Sequence, residues 1–440
     1  MTRVVCKFGG SSLADANQFK KVRAIIDEKA ERSIVVVSAP GKRVKSEAKI
    51  TDLLYLCHDT AHVGADFEST FALVRTRFCE IAKELAISTK IADALEQFKA
   101  ELKQGVTRDY VASRGEYFNG ILMAEYLGAE FVDPADFVVI TPAGTVAPET
   151  YENLGKRFAD KSRRYVMPGF YGRDQKGMIR TFSRGGSDIS GAIAARAAQA
   201  ALYENWSDVS GLLMADPTIV ENPRPMAEVT YKEIRELSYM GASVFHDEAI
   251  LPVREAKIPI CIKNTNAPSH PGTRIVSELG PIENKTTEIA GIAGKKGFSM
   301  ICLEKSLMNK EVGFAYRLLG IMEALKINVE HCPSSIDGIN VIVDGKSMGD
   351  RANEIIEEIR RVLRPDSVTI EEELALIAVV GEGMAHSVGI AAKVFTALRD
   401  ANVNVAVINQ GASELNIIIG VAPADFERAV RALYQAFVPR

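Results

Sequence analysis

Lys7, Gly9 and Gly10 stand at the end of a short apolar run, Val4-Val5-Cys6, and a second glycine pair, Gly185-Gly186, is flanked by Arg184 on one side and by Ser187 and Asp188 on the other. Both groups suit phosphate chemistry. Consecutive glycines let backbone N–H groups approach an anion without interference from Cβ, a helix N-terminus adds partial positive charge, and an ammonium neutralises charge developing on a transferred phosphoryl group. Arg184 offers a planar fork for a carboxylate, and Asp188 an acceptor that orients a substrate. The bland alternatives are a glycine turn beside a surface lysine, and simple N-capping by Ser187 and Asp188. In Ser113-Arg114-Gly115-Glu116, the acid is either a first-turn residue favoured by the helix dipole or a partner for a substrate ammonium.

The elements that must position these residues follow from periodicity. Phe19, Val22, Ile25 and Ile26 recur at helical spacing after the first glycines, so Lys7 sits at a strand–turn–helix junction. Residues 33–39 are continuously apolar, as in a strand covered on both faces, which makes a βαβ start. Residues 40–45 read as a mobile loop with solvated charges. From Ile50 to about Phe131 the pattern is mostly helical, interrupted near Gly64 and Gly105, with Ser113 expected to open the helix that runs through Leu122 and Leu127. Strands are expected at 137–140 and 165–168, then a turn at 169–172, and the second glycine turn runs into an alanine-rich helix at 189–202. His58 and His62 lie four apart on one helix, but no third ligand is in view and no metal site is expected.

Composition narrows the function classes. A chain of 440 residues suggests two to four domains at about 150 residues each. Hydrophobic content of 47% and a net charge of -4 fit a globular protein with no overall electrostatic reason to bind nucleic acid or an anionic membrane. Six scattered cysteines without a CxxC pair indicate neither a disulfide framework nor a zinc knuckle, and a reducing, cytoplasmic setting is expected. No apolar window approaches the roughly 18 residues of a membrane span. A Walker lysine motif is absent.

Beyond Lys285 short strands alternate with single helices. Strand 298–303, helix 312–325, strands 327–331 and 339–343 and helix 351–363 form one unit. Strand 374–380, helix 388–398, strands 403–408 and 415–421 and a helix from Ala424 form another. This βαββαβ order, used twice, is an internal repeat of ferredoxin-like α+β units. Gly381-Glu382-Gly383-Met384-Ala385-His386 resembles a dinucleotide turn but has His386 at the third glycine position, so it reads as the first loop of the second unit.

Five stretches in order, Lys7-Phe8-Gly9-Gly10-Ser11-Ser12, Ser113-x-Gly115-Glu116, Arg184-Gly185-Gly186-Ser187-Asp188, Trp206-Ser207-Asp208-Val209 and Ser238-Tyr239-Met240-Gly241-Ala242, resemble the aspartate kinases of the amino-acid-kinase family, over essentially the whole chain. The resemblance implies an α/β amino-acid-kinase fold, a parallel-rich sheet sandwiched by helices, over 1–290 with its nucleotide lobe at about 160–290. Two ferredoxin-like ACT domains at 296–368 and 372–440 would follow.

It implies that Lys7 bridges the ATP phosphates and the substrate carboxylate, that Glu116 takes the aspartate ammonium, that Arg184 takes a substrate carboxylate, and that Asp188 orients substrate and phosphates, with Lys7, Arg184 and Asp188 as the catalytic set. Ser38, Thr51 and Ser187 match the aspartate site; Phe8, Gly9, Gly10, Ser207, Asp208, Leu213 and Asp216 match the nucleotide site. The family often has Gly where Ser183 precedes Arg184, Thr at Ser207, Tyr at Leu213, Arg at Thr218 and Lys at Ser243, departures that touch nucleotide contacts and leave the amino-acid site intact.

The implied reaction is phosphorylation of the L-aspartate side-chain carboxylate by ATP, with Mg²⁺ carried on the nucleotide, as the first step of lysine, threonine and methionine biosynthesis. Such transfer rests on positioning and charge neutralisation, and the acceptor carboxylate is already ionised at neutral pH, so no general base is needed. An inhibitory amino acid, lysine with threonine as the alternative, would sit against Met308, Gly313, Phe314 and Ala315, facing Asn328, Val329 and Glu330. Glu330 is either the acid that pairs with a lysine ammonium or a solvated strand-end residue. Edge strands suit pairing into a homodimer or a higher homo-oligomer. The rivals are a kinase of the same fold acting on glutamate or carbamate, and a catalytically silent amino-acid sensor.

Overall fold

The computed structural model describes residues 2–88, 90–182, 185–242, 247–279 and 288–438. In chain order it runs β1 (Val4–Phe8), a 3-10 turn (Gly10–Leu13), α1 (Ala16–Glu28), β2 (Arg32–Val37), α2 (Ile50–His62), α3 (Glu68–Glu84), α4 (Ile91–Gln104), α5 (Arg108–Leu127), β3 (Glu130–Phe131), α6 (Pro134–Phe137), α7 (Glu149–Arg157), β4 (Tyr165–Pro168), β5 (Tyr171–Arg173), β6 (Ile179–Thr181), α8 (Gly186–Ala197) and β7 (Leu202–Ser207). There follow β8 (Glu228–Thr230), α9 (Tyr231–Tyr239), α10 (Asp247–Glu255), β9 (Ile260–Asn264) and β10 (Thr273–Val276). The last part contains β11 (Gly291–Glu304), α11 (Phe314–Ala324), β12 (Gly338–Asp344), α12 (Gly345–Met348), α13 (Ala352–Leu363), β13 (Ser367–Val380), α14 (Ile390–Asp400), β14 (Val407–Asn409), β15 (Asn416–Val421) and α15 (Phe426–Phe437).

Two compact units result, the first made of Met1–Leu212, Ala227–Tyr231 and Val244–Leu279, the second of Leu213–Met226, Lys232–Ser243 and Gly280–Arg440. The division differs from a simple boundary at 290, because two segments preceding that point belong with the C-terminal unit.

In the first unit eight strands form one sheet in the order β3-β4-β2-β1-β7-β9-β10-β8. The pairs β1–β2, β1–β7, β2–β4 and β7–β9 are parallel, and β9–β10 is antiparallel. β2 is buried along its whole length, as a strand with helices on both faces must be. Strand alternation sends Cys6 and Phe8 to one face, where they join Phe19, Val22 and Trp206 in a core with α1 to α5. It sends Lys7 to the other, where α8 packs across β1, β2 and β7.

Residues 40–45 do form a loop, with 42–46 exposed, and the buried Arg77 holds its two ends, donating to the Gly41 carbonyl at 2.8 Å and pairing with Glu47, which also takes Arg43. Burial opposes ionisation of Glu47, but hydrogen bonds from the Arg43 side chain and backbone and from Arg77 win and hold its carboxyl down to about 2. Residues 134–137 form a helical turn capped by Asp133, not the start of a strand, and only Val139 and Ile140 make bridges, to Arg173 and Val146. The alanine-rich helix also ends early, at Ala197, because β7 begins at Leu202.

In the second unit β12-β11-β13-β15-β14 make one antiparallel sheet. The repeat is visible in detail, since α11 and α14 each follow a glycine in the left-handed region, Gly313 and Gly389, preceded by exposed Val312 and Val388. The expected break at 368–372 instead falls inside β13, one continuous strand through which both halves share the sheet. Residues 327–331 are not a strand; His331 alone bridges to Ile342. Among the described residues no helix is long and apolar enough to cross a membrane.

Candidate active site

The two glycine turns meet through their charged neighbours. Lys7 Nζ lies 2.5 Å from Asp188 Oδ1, and both side chains are largely buried. The β1–β7 register puts Lys7 opposite Asn205, whose Oδ1 is 3.5 Å from the ammonium and whose Nδ2 donates to Asp188 Oδ1 at 2.9 Å. Asp188 is not a helix cap. Gly185, in the left-handed region, occupies the cap position of α8 with no side-chain hydrogen bond, so the Asp188 carboxylate turns to Lys7 and Asn205. Ser187 lies on the same first turn and packs against Gly169, where an added Cβ would come within 2.8 Å of the serine Cβ. Arg184 and the neighbouring Ser183 lie outside the described residues.

The first turn is built for close backbone approach. A Cβ on Gly41 would lie 2.5 Å from the carbonyl carbon of Gly10, and Gly41 N–H donates to the Gly10 carbonyl at 2.8 Å. Gly9 N–H is committed to the Trp206 carbonyl at 2.9 Å, so it is not part of an anion cradle. The glycine turn leads first into the 3-10 turn, and α1 begins only at Ala16 under an Asp15 cap. Phe8 is fully buried and stacks on Trp206 with ring centroids 5.9 Å apart, so its ring cannot touch a nucleotide.

Segment 38–41 carries this turn to α5. Ser38 N–H donates to the Phe8 carbonyl at 3.2 Å, and Asn119 Nδ2 donates to the Ser38 carbonyl at 2.6 Å. α5 starts at Arg108 under a Thr107 cap, so Glu116 stands in its third turn and the dipole reading does not hold. It is 6% exposed, and one carboxylate oxygen, Oε2, is buried with no hydrogen-bond partner. Burial pushes its carboxyl up to about 8, against the lowering effect of hydrogen bonding to the Ala39 backbone. A Cβ on Gly115 would come within 2.9 Å of the Ala39 Cβ and would touch Ile50 and Leu54 of α2, the helix whose first turn carries Thr51.

The remaining nucleotide-site expectations divide between the units. Ser207 accepts from Val209 N–H at 3.3 Å, and Asn264 Nδ2 donates to the Asp208 carbonyl at 3.2 Å and to Ser210 Oγ at 2.9 Å, leaving the Asp208 side chain exposed at the end of β7. Leu213 and Asp216 belong to the second unit. Asp216 does turn chemistry, accepting from Thr218 N–H at 2.8 Å and Oγ1 at 2.7 Å, and exposed Leu213 bridges to Pro225. Ser243 lies outside the described residues. His58 and His62 stack at 6.1 Å, and no group of three metal-ligating side chains occurs among the described residues.

On the opposite face of β1 and β7 lies a charged cluster that the sequence reading missed. Arg32 Nε donates to Glu204 Oε2 at 2.8 Å and Nη2 to Oε1 at 3.1 Å; Trp206 Nε1 donates to Oε2 at 3.0 Å, and the Cys6 thiol reaches it at 3.3 Å. Burial, then Glu204, pushes the Cys6 thiol well up, so it stays protonated and inert. The available signal was a charge of each sign inside two apolar strands, where an unpaired ion would be prohibitive.

In the second unit, Met308 and Phe314 are buried in the core of the first ACT-like half and Val329 packs against it. Gly313, Ala315 and Asn328 are exposed, and the half-buried Glu330 accepts a hydrogen bond from the Tyr239 hydroxyl.

Comparison with known proteins accords with this arrangement. The amino acid kinase family matches residues 2–264, and an ACT domain matches 377–437. The chain is 42% identical to aspartokinase 3 of Bacillus subtilis over 98% of both proteins. A crystal structure of the aspartate kinase of Clostridium acetobutylicum superposes with a TM-score of 0.91 at 49% identity, covering 99% of this chain and 100% of that one. Escherichia coli aspartokinase III, solved with aspartate and ADP, has the same fold at a TM-score of 0.74 and 24% identity over 99% of each chain. With the two glycine turns joined through Lys7 and Asp188 and the C-terminal repeat in place, the chain belongs to the amino acid kinase family, among its aspartokinases.

Proposed function

We propose that Lys7 and Asp188 carry the transfer of the ATP γ-phosphoryl group to the side-chain carboxylate of L-aspartate, giving 4-phospho-L-aspartate and ADP. The supporting observation is the 2.5 Å Lys7–Asp188 contact, which joins the two glycine turns in one place. A carboxylate oxygen of the substrate attacks the γ-phosphorus in line; the P–O bond to ADP breaks and its electrons leave with the β-phosphate. Lys7 exchanges Asp188 for the phosphate oxygens, where its charge offsets the one that builds up in the transition state. Glu116 takes the substrate ammonium, an assignment supported by its buried, unpartnered oxygen. Arg184 takes a substrate carboxylate, with Ser38, Thr51 and Ser187 around the amino acid and Gly10, Ser207 and Asp208 toward the nucleotide; Leu213 and Asp216 are kept with the nucleotide by family likeness.

Mg²⁺ arrives with ATP, its oxygen ligands being phosphates and water, so the chain needs no dedicated metal cage. The E. coli relative solved with aspartate and ADP, and its form with lysine and aspartate, support this ligand set and lysine as the effector. A homodimer through the ACT-like layer is supported by exposed Val312, Tyr316 and Ile336. The kinase domain is 1–290, with ACT domains at 296–368 and 372–440 that meet inside β13.

ADP release measured with aspartate, glutamate and carbamate in turn tests this reading. Turnover with aspartate alone is expected; preference for another acceptor, or no turnover with any, would replace it with one of the rivals.

A further inference from the structure

Asn205 lies at the middle of the first unit's sheet, 6% exposed, with its carboxamide between the two charges of the site. We propose that Asn205 is a positioning residue for phosphoryl transfer, holding the Asp188 carboxylate in place while Lys7 moves to the nucleotide phosphates. The proposal rests on the assignment of Lys7 as the phosphate-binding cation.

The orientation of the amide is dictated by its neighbours. An ammonium can only donate and a carboxylate can only accept, so Oδ1 must face Lys7, at 3.5 Å, and Nδ2 must face Asp188, at 2.9 Å. β7 grips the first turn of α8 at a second point on the same face. The Tyr203 hydroxyl donates to the Asp188 backbone carbonyl at 3.1 Å and sits where a Cβ on Gly191 would otherwise be, 2.4 Å away. Asp188 is therefore fixed by main chain and side chain before any substrate arrives.

The consequence appears when the pair separates. If Lys7 were the only partner of Asp188 Oδ1, drawing the ammonium toward phosphate would strand a largely buried carboxylate, a costly state. The Asn205 N–H stays on that oxygen throughout, and its carbonyl oxygen remains a weak second acceptor for the ammonium. Loss of the amide should slow transfer and leave aspartate capture, which depends on Glu116 and Arg184, nearly untouched.

Steady-state kinetics of the full chain with Asn205→Leu and Asn205→Asp, alongside Lys7→Ala, test this. Asn205→Leu should lower kcat by about tenfold, the effect of one lost charge-assisted hydrogen bond, with KM for aspartate within about twofold of wild type. Asn205→Asp should show a deficit that shrinks as pH falls from 8 to 6 at saturating aspartate. A protonated carboxyl reproduces the amide, O–H toward Asp188 and C=O toward Lys7, whereas an ionised one repels Asp188 and traps Lys7. A merely structural role would give a deficit that follows folded fraction, measured by circular dichroism, and ignores pH. Wild-type kcat in Asn205→Leu, or a pH-invariant deficit in Asn205→Asp, overturns the proposal; should Asn205→Leu not fold, the aspartate variant decides. Inactive Lys7→Ala with an unimpaired Asn205→Leu removes the role of Asn205 alone, whereas full activity of Lys7→Ala removes the reading on which it rests.

Discussion

The Tyr239 hydroxyl donates a hydrogen bond to the Glu330 carboxylate, joining the Ser-Tyr-Met-Gly-Ala stretch of α9 to the acid expected to meet an effector ammonium. α9 is bonded further within the same unit, for Glu233 accepts from Glu382 N–H at 2.7 Å, and Glu236 accepts from Asn416 Nδ2 at 2.6 Å. Burial, with Glu330 adding to it, pushes the Tyr239 phenol up, so it remains a donor across the accessible pH range.

A lysine ammonium at Glu330 would compete with this phenol. Tyr239→Phe removes the competitor without changing the ring, so the lysine concentration giving half-inhibition should fall by about fivefold, the equivalent of one hydrogen bond of about 1 kcal/mol. Titrating lysine and threonine, singly and together, against ADP formation checks this. An unchanged lysine response would return Glu330 to the role of a solvated acid.

Glu116 gives a signed pH dependence. Its folded-state pKa of about 8 lies above the ordinary 4.5, so the folded protein binds more protons than the unfolded chain between those values. The stability this contributes is complete below about 4.5 and is lost as pH rises through about 8, amounting to at most about 5 kcal/mol. Urea denaturation without aspartate should show stability falling from pH 5 to pH 9, and Glu116→Gln should flatten that slope. Aspartate binding runs the other way, because an ammonium needs the ionised acid. KM for aspartate should rise by up to tenfold for each unit that the pH drops below about 8 in the wild type, and should be higher and nearly pH-independent in the glutamine variant.

The Arg32–Glu204 pair tests what ties β2 to β7 across β1 behind the site. Arg32→Met leaves Glu204 buried and uncompensated, and should cost about 3–5 kcal/mol in denaturant unfolding. Arg32→Met with Glu204→Leu should recover much of that loss, since replacing both ions by apolar groups removes the desolvation penalty. Equal destabilisation by the single and double variants would show that the pair contributes nothing beyond packing.

The fold was legible wherever periodicity and chain punctuation agreed. The buried run that became β2, the repeated helices after Gly313 and Gly389, and the strand before Lys7 all announce themselves locally. What stayed hidden depends on partners distant in sequence. Gly9 looked like part of an anion cradle, but its N–H serves the Trp206 carbonyl, and the close approach of Gly41 to Gly10 was equally invisible. Glu116 looked like a first-turn acid because Ser113 resembles a helix start, whereas Thr107 caps the helix two turns earlier. Only the second part of β13, 374–380, read as a strand; the first part follows a helix and shows itself only through its hydrogen bonding to β11, which runs on from one repeat into the other. Asn205 carried no signal at all, since its function exists only through the register that sets it opposite Lys7.

The most direct test measures aspartate-dependent ADP formation by the full chain and by Lys7→Ala, with 4-phospho-L-aspartate followed by phosphorus NMR. The account predicts stoichiometric acyl phosphate and ADP from the wild type and a loss of at least about a thousandfold in kcat for a folded Lys7→Ala protein, as expected when the main countercharge to the transferring group is removed. Undiminished turnover in that variant, or ADP release without acyl phosphate, would contradict it.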